Sequence, residues 1–548
     1  MSFLTIFDIG KTALFASQAQ LGVISNNIAN ASTPGYSRQE VILTIAAPVS
    51  QGHNQVVGQG VQVAGIRRQY DALLQNQIDL AQQEYGKSTT HSQNLSYIEQ
   101  VFNETQGIGL ATPMTDFFNA WHEVSNNPQG LTERSLLLQK ADTLVNSAKL
   151  MEQGITTTLT QINSGIVDTV SKINAFATRI AKLNEQIAQV EAGSASGTAN
   201  DFRDQRSEVL RQLNSLVNVN AWEDPTNGTL TVTLGNRNLV SGSNTNTLSA
   251  IYDQTANYIY KLDGIDITSK ISKGELGGAV AASGNIQTHL LDLRKLVASL
   301  TSQVNVQHTQ GYDLNGVQGT DFFTPIGFNV SDNSANGTLS ATANNLTPLT
   351  LDNYAVTFAD DGSGGYNYTI TNSSTSATST AAYDPAGTTV DFEGIRFVIS
   401  GAVTATDSFT VAPDLSKAIQ NFETAITDPR EIAASSSAAT VPGDNANALL
   451  MADIINQDIV ELNSTTFTDY YQSLVGQIGS QSKTAADGLT YNNNFLTMLN
   501  TQRASISGVS MDEEAANLVR FQRAYQAAAR LIQTADVLFE DLINLAGR

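Results

Sequence analysis

The chain has 548 residues, a length that allows about three domains, each with its own hydrophobic core. Its formal net charge is −22 and no basic patch offsets the acidity, which argues against nucleic acid as a partner. It contains no cysteine, which excludes disulfides and thiolate metal sites, and its five histidines show no ligand spacing. We therefore expect no metal and no other cofactor.

The N-terminal segment predicts a helix with a heptad seam. Its apolar and small residues follow one another at steps of four and three, which is typical of coiled coils. They are Phe3, Phe7, Gly10, Leu14, Ser17, Leu21, Ile24 and Ile28. Because Ile9 and Phe15 lie outside this seam, the helix should be buried by more than one neighbour. Asp8 and Lys11 interrupt the apolar run early, which argues against a cleaved signal peptide and a membrane span.

The stretch NNIANASTPGYSRQE, from Asn26 to Glu40, should end this helix. Thr33 precedes a proline, which disfavours the α conformation, so the helix must stop by about Thr33. Pro34 and Gly35 fit the central positions of a type II turn. The asparagines Asn26, Asn27 and Asn30 can satisfy backbone groups at the helix end or bond to a neighbouring subunit. A simple capped turn is the alternative for each of them.

The middle of the chain reads as helices with strand-like segments between them. Short strands (VILTIAAPV and GVQVAGIRR) precede helical patterns at about 70–103 and 115–125. No proline occurs from Gln129 to Asp224, and apolar residues from Ile155 to Val190 keep the three-four step. We interpret this segment as the scaffold of a helical bundle, with its seam forming intrachain core.

Two β-rich regions follow the long helical pattern. Strand-like alternation extends from about Val219 to Gly284, and a helix is predicted from about Ile286 to Thr309. Residues 328–412 are rich in Ser, Thr, Asn and Gly and contain one basic residue, Arg396, and no lysine. Strand spacing of aromatic and β-branched residues there predicts a small, solvent-facing β domain. Helical pattern returns by about Asn445.

The C-terminus predicts a second heptad helix. Ser510 is a candidate N-cap, Glu513 would complete a capping box, and acidic residues occupy the first turn. The seam consists of Leu518, Phe521, Tyr525, Ala528, Ile532, Ala535, Phe539 and Leu542. The economical arrangement pairs the two terminal helices with each other and leaves the remaining apolar surface to neighbouring subunits. This pattern suits a protein that polymerises through its ends and keeps them disordered until then.

Both ends resemble those of the bacterial flagellar axial family, which comprises rod, hook and hook-associated proteins and flagellin. The matching stretches are SNNIANASTPGYSRQ and DEEAANLVRFQRAYQAAARLIQTADVLFEDLINL. Interior segments are similar to those of the hook-associated member at the hook–filament junction; these are Phe117 to Leu144, Asp201 to Val219 and Val304 to Phe323. The resemblance implies a structural role in joining the hook to the filament. Another axial protein, such as the hook protein, and an exported cell-wall hydrolase are the alternatives.

The expected fold is mixed and mainly α, with terminal coiled-coil helices, a long helical-bundle domain, β-rich segments and an inserted outer β domain. The predicted segments are 1–37 (tube helix and turn), 38–327 (helical domain, first part), 328–412 (outer β domain), 413–509 (helical domain, second part) and 510–548 (tube helix). No catalytic motif such as G-x-S-x-G or H-E-x-x-H occurs, so we expect no enzyme.

The resemblance also implies partners, an export route and an assembly interface. The partners are further copies of the chain, the hook protein, hook-associated protein 3 and an export chaperone on the C-terminal helix, with no nucleic acid or membrane. Secretion would follow the flagellar type III route without a cleaved signal peptide. The expected interface residues are Phe3, Phe7, Leu14, Leu21, Ile24, Ile28, Asn26, Asn27, Asn30, Pro34, Gly35, Tyr36, Leu518, Phe521, Tyr525, Ile532, Phe539 and Leu542.

Overall fold

The computed structural model describes residues 3–50, 56–103, 109–192, 198–253, 258–334 and 336–546. Helices dominate these ranges, as the expected fold class requires. They are α1 (Phe3–Ala29), α2 (Ala72–Val101), α3 (Ala111–Asn126), α4 (Leu131–Glu191), α5 (Asn200–Leu216), α6 (Gly274–Thr309), α7 (Ala446–Asp453), α8 (Phe467–Ser507) and α9 (Met511–Ala546).

The strands fall into three stretches of the chain. The first holds β1 (Gln39–Ile45), β2 (Val49–Ser50), β3 (Val56–Val57) and β4 (Val61–Arg68). The second holds β5 (Val219–Glu223), β6 (Leu230–Leu234), β7 (Arg237–Ser241), β8 (Asn244–Thr245), β9 (Leu248–Tyr252), β10 (Tyr258–Leu262) and β11 (Ile265–Asp266). The third holds β12 (Phe328–Asp332), β13 (Gly337–Ala343), β14 (Tyr354–Asp360), β15 (Tyr366–Asn372), β16 (Thr378–Ala382), β17 (Thr388–Phe392), β18 (Ile395–Gly401) and β19 (Ser408–Pro413).

The chain forms two compact units. The first consists of Met1–Ser92, Asn163–Ala281 and Ala485–Arg548, and therefore contains both ends of the chain. The second consists of Gln93–Ile162 and Ala282–Thr484. The division into five segments inferred from the sequence stays a prediction.

In the first unit, β1 and β4 form an antiparallel hairpin, with Gln39 opposite Arg68. Two further sheets, in the strand orders β5-β6-β7-β8 and β11-β10-β9, confirm the strands expected from Val219. The expected end of that region was wrong, because α6 begins at Gly274 rather than near Ile286. Its glycines allow close approach instead of breaking the helix. A Cβ at Gly278 would lie 2.4 Å from the carbonyl oxygen of Lys87 in α2.

Helix α4 extends for 61 residues, from Leu131 to Glu191, and contains the apolar seam predicted from Ile155 to Val190. The seam residues from Ile155 to Ile187 are buried apart from Phe176, which is half-buried. Val190, at the end of the seam, is 46% exposed. The interpretation of this seam as intrachain core is therefore confirmed up to Ile187.

In the second unit, the strands from β12 to β19 form two antiparallel sheets, β12-β19-β14-β15-β16 and β13-β18-β17. Their shared core includes Tyr354, Phe397 and Phe409, and Ala298 of α6 also packs against it. The first and last strands pair with each other, and Phe328 lies opposite Pro413. The chain therefore enters and leaves this pair of sheets at neighbouring positions.

A buried histidine lies among aromatic side chains in the second unit. The ring of His308 lies near Trp121 and Phe322, with centroids 6.1 and 5.4 Å away. Its Nδ1–H donates to the carbonyl of Thr320 at 2.6 Å, and its Nε2 accepts the amide N–H of Ala433 at 2.9 Å. The ring is therefore neutral, and burial lowers the pKa of His308 to about 4.

Acid should destabilise the second unit through this histidine. An unfolded chain, in which the His308 pKa returns to 6.5, binds the proton first as the pH falls. We expect the free energy of unfolding to fall by about 3 kcal/mol between pH 7 and pH 4 from this group alone. The check is urea unfolding followed by Trp121 fluorescence in a Trp222→Phe background. His308→Gln should lower the stability at pH 7 and remove this part of the pH dependence. An equal decline of the free energy of unfolding with and without His308→Gln would show that His308 does not cause this pH dependence.

Candidate assembly site at the paired chain ends

The two terminal helices pack against each other in antiparallel orientation. Gly10 of α1 lies beside Ile532 of α9, whereas Asn27 of α1 contacts Glu514 of α9. A Cβ at Gly10 would lie 2.8 Å from Cγ1 of Ile532, so the small residue allows the helices to approach closely. The pairing expected from the heptad seams is therefore confirmed within one chain.

The predicted N-terminal seam residues face this contact to different degrees. Ile24 is buried, and Leu14, Leu21 and Ile28 are half-buried. Phe7 is 42% exposed, and the side chain of Phe3 lies outside the described residues. The small seam residues Gly10 and Ser17 are buried as well.

In the C-terminal seam, too, the small residues are buried. Its alanines, Ala528 and Ala535, are buried, whereas its larger members are half-buried or exposed. Half-buried are Leu518, Phe521 and Ile532, and exposed are Tyr525 and Phe539. The side chain of Leu542 lies outside the described residues. The guanidinium of Arg520 lies 4.5 Å from the ring centroid of Phe521, which places a cation over an aromatic face.

A second neighbour of α1 belongs to the same chain. The β1–β4 hairpin runs along α1, and a Cβ at Gly60 would lie 2.4 Å from Oγ1 of Thr12. We had predicted from the sequence that neighbouring subunits cover all the remaining apolar surface of α1. This prediction was wrong where the hairpin covers the helix. Phe15 remains 55% exposed.

The chain reverses at an elbow, which we define as residues 26–38. Helix α1 ends at Ala29, and the amide of Tyr36 donates to the carbonyl of Thr33 at 3.2 Å. Gly35 has φ +82°, the value that the third position of a type II turn requires. The predicted turn, with Pro34 and Gly35 at its centre, is confirmed. Nδ2 of Asn30 donates to the backbone carbonyl of Asn26, as expected for an asparagine at a helix end.

Asn27 is the centre of the elbow's hydrogen bonding and is almost completely buried. Its Oδ1 accepts from the amide of Gln39 at 3.0 Å and from the hydroxyl of Tyr36 at 2.9 Å. Its Nδ2 donates to the carbonyl of Gln39 at 3.0 Å and to Oε2 of Glu514 at 3.3 Å. One side chain therefore joins the end of α1 to the turn, the hairpin and the start of α9.

Ion pairs that the sequence did not reveal hold the elbow in place. Asp204 of α5 is buried, accepts the amide N–H of Ser37 at 3.0 Å and pairs with Arg68 at 2.9 Å. Burial raises the pKa of the Asp204 carboxyl, an effect that Arg68 and Ser37 partly oppose. Arg38 pairs with Glu514 at 2.7 Å and with Glu513 at 3.1 Å. These partners lie far apart in the chain, so no local spacing could have identified them.

Burial also raises the pKa of Tyr36, and the charges of Asp201, Asp204 and Glu514 add to the effect. The hydroxyl therefore stays protonated and donates to Asn27. The described residues bring together no group of three His, Asp or Glu side chains that would hold a metal ion. Among the helices that are described, none combines the length and apolar character that crossing a bilayer requires. The arrangement is that of a contact site between helices.

Four family models match this chain. Residues 7–36 match the flagella basal body rod protein, and residues 500–545 match the flagellar basal body rod FlgEFG protein C-terminal family. Residues 95–323 match the flagellar hook-associated protein FlgK helical domain. Residues 328–413 match the flagellar hook-associated protein 1, D2-like domain. The two ends, which form the helix pair, thus match rod-type families, and the interior matches hook-associated ones.

Relatives and a solved structure agree with these matches. Flagellar hook-associated protein 1 of Escherichia coli K12 is 32% identical over 554 residues, covering 99% of this chain and 100% of the relative. The protein of the same name from Bacillus subtilis 168 is 26% identical and covers 98% of each chain. The flagellar hook junction protein FlgK from Burkholderia pseudomallei has a similar fold, with TM-score 0.60 and 21% identity, covering 79% of this chain and 100% of that one. The full-length similarity to the Escherichia coli protein shows that the chain belongs to the flagellar hook-associated protein 1 family.

Proposed function

We propose that the chain is a structural component of the bacterial flagellum that polymerises through its paired terminal helices and joins the hook to the filament. The observation that carries this proposal is the antiparallel contact of α1 with α9. Rod-type matches cover both helices and hook-associated matches cover the interior, which supports an axial protein of the junction. We infer a structural role rather than an enzymatic one, since the relatives are named as hook-associated proteins.

The proposed partners are further copies of the chain, the hook protein on one side and hook-associated protein 3 on the other. We also propose an export chaperone that binds α9, because an amphipathic helix offers its apolar face to a groove. Export by the flagellar type III route, without a cleaved signal peptide, would deliver the chain to the growing flagellum.

The direct test is a strain that lacks this chain. We expect hooks without attached filaments, with filament protein released into the medium, and restoration by the wild-type gene. Immunogold labelling of intact flagella should mark a narrow zone between hook and filament. Normal filaments in the deletion strain, or label along the whole filament, would contradict the proposal.

The ends of the purified monomer should be sensitive to protease. Phe15 of α1 and Val537 and Ile543 of α9 are more than half exposed, so neighbours are needed to bury these ends fully. Limited proteolysis should remove about 1–37 and 511–548 while the centre stays whole. Mass spectrometry of the products is the measurement. Ends that resist as long as α4 does would contradict this expectation.

Deletion of residues 328–412 should leave assembly largely intact. Phe328 and Pro413 are paired neighbours, so a short Gly-Ser link can replace the whole insert. The melting temperature should fall slightly because Ala298 loses its contact with the β core. Motility is the measurement, and loss of export or of the junction would contradict an outward-facing β domain.

A further inference from the structure

Helix α8 carries an apolar stripe that is exposed in the first unit, as far as the structure describes that unit. We define the stripe as Tyr491, Phe495, Met498 and Ile506, which are all exposed, Tyr491 to 68% and Met498 to 55%. Their spacing places them along one side of the helix. Leu496 and Leu499, which lie beside the stripe on the helix, belong to a small core with Leu74, Ile78 and Ala81 of α2. The rings of Tyr491 and Phe495 are parallel, with centroids 6.3 Å apart.

Most of the stripe lies in an uncharged run of the sequence, and Arg503 separates this run from Ile506. Residues 488–502 include no Asp, Glu, Lys or Arg, although 15% of the chain is charged. A helix face in contact with water usually carries such residues. A lack of charged residues, together with exposed Tyr, Phe and Met, is typical of the core of a protein–protein interface. The stripe therefore has the chemistry of a buried contact rather than of a solvent-facing surface.

A second uncharged surface lies on the β1–β4 hairpin. Residues 41–66 contain no Asp, Glu, Lys or Arg, and the hairpin exposes Ile42, Leu43, Ile45 and Ile66. Ile45 is 85% exposed. The hairpin and α8 pack against different helices of the unit. The hairpin packs along α1 at Gly60, whereas α8 packs along α2, where Asn492 bonds to Ser88.

The net charge indicates which partner fits these surfaces. Two copies of a chain with charge −22 repel each other overall, which favours contacts through regions that carry no carboxylates. The stripe and the hairpin are two such regions, and their lengths are similar. Tyr491 to Ile506 extends over ~22 Å of helix, and the uncharged residues of β1, Val41 to Ile45, extend over ~17 Å.

We infer that the α8 stripe of one copy packs on the β1–β4 hairpin of a second copy, in a head-to-tail contact that repeats through the assembly. This inference rests on the proposed polymerisation. A patch of ~17 by ~10 Å buries ~340 Å² over both copies, whereas stable complexes bury about 1,200 Å² or more. The contact therefore forms in the polymer, where each copy is held at several surfaces, and leaves the purified chain monomeric.

Cross-linking between two different copies tests the inference, because the chain has no cysteine of its own. Ile45→Cys and Met498→Cys are made as separate single variants and co-expressed in the deletion strain. Isolated flagella are then treated with a short bismaleimide. We expect a dimer of twice 58.4 kDa only from the mixture, with the two cysteine peptides joined in the mass spectrum. Thr497→Cys, one residue from Met498 and about 100° round the helix, replaces Met498→Cys in the control mixture and should give no dimer.

A charge substitution gives a second readout. Met498→Asp should reduce the amount of the chain in isolated flagella at least tenfold, whereas Thr497→Asp should have little effect and both should melt like the wild type. Three results would overturn the inference: no dimer from the mixture, a dimer from Met498→Cys alone, or normal assembly of Met498→Asp. Absence of the wild-type chain from isolated flagella would overturn the proposed function together with this contact.

Discussion

Asn27→Asp is expected to abolish incorporation of the chain into flagella while its central parts melt as in the wild type. The substitution preserves the shape of the side chain but replaces the donor Nδ2 by an anionic oxygen. That oxygen would face Oε2 of Glu514, which lies 3.3 Å from Nδ2, and the carbonyl of Gln39. Two carboxylates and a carbonyl cannot share this buried site without a proton, so the ends of the chain should separate. The measurements are the amount of chain in isolated flagella and swimming.

A second substitution separates this cause from a general loss of folding. Glu514→Gln, added to Asn27→Asp, removes one negative charge and supplies an amide that can donate to the new carboxylate. The double variant should recover a large part of assembly, even though Glu514→Gln alone weakens the pair with Arg38. Normal assembly of Asn27→Asp, or no recovery in the double variant, would show that Asn27 does not join the two ends.

Phe521→Asp should stop export, attachment of the filament and motility. Phe521 is half-buried in the C-terminal seam, and we propose that the same face binds the export chaperone before it meets α1. An aspartate there introduces a charge into either contact, where it is costly to bury. Gln522→Asp, at the exposed next position, is the matched control and should swim normally. The measurements are the amounts of the chain in the cells and in the medium, and swimming on soft agar.

The same pair of variants can also disprove the interpretation of the seam. Both chains should unfold at the wild-type temperature, since the two substitutions lie on a terminal helix away from the central cores. A Phe521→Asp strain that swims as well as the Gln522→Asp strain would show that the seam is no interface. Equal loss in both strains would point to charge on α9 in general.

Local signals in the sequence were sufficient for the elbow's backbone. Proline at position 34 stops the helix and glycine at position 35 adopts positive φ, so the turn follows from two neighbouring residues. The start of α6 was missed because glycines that allow close approach look like breakers. The pairing of the helices was predictable because a seam of this period requires a partner.

The buried polar contacts were beyond the reach of sequence spacing. Asp204 meets Arg68 across 136 positions, and Asn27 meets Glu514 across 487. Nothing within a window of the chain marks these side chains as partners, since many carboxylates compete for each arginine. The uncharged runs at 41–66 and 488–502 are visible in the sequence. Only the structure shows that apolar residues within them are exposed.

The buried Asn27 makes the elbow depend on the last helix of the same chain. Its hydrogen bonds are complete only when Glu514, at the start of the last helix, is present. A copy shortened before α9 would leave the Asn27 amide and the Arg38 guanidinium without that carboxylate, and its elbow would stay open. Closure of the elbow therefore requires that the same chain extends into α9. We therefore expect copies shortened before α9 to be excluded from the assembly that we propose.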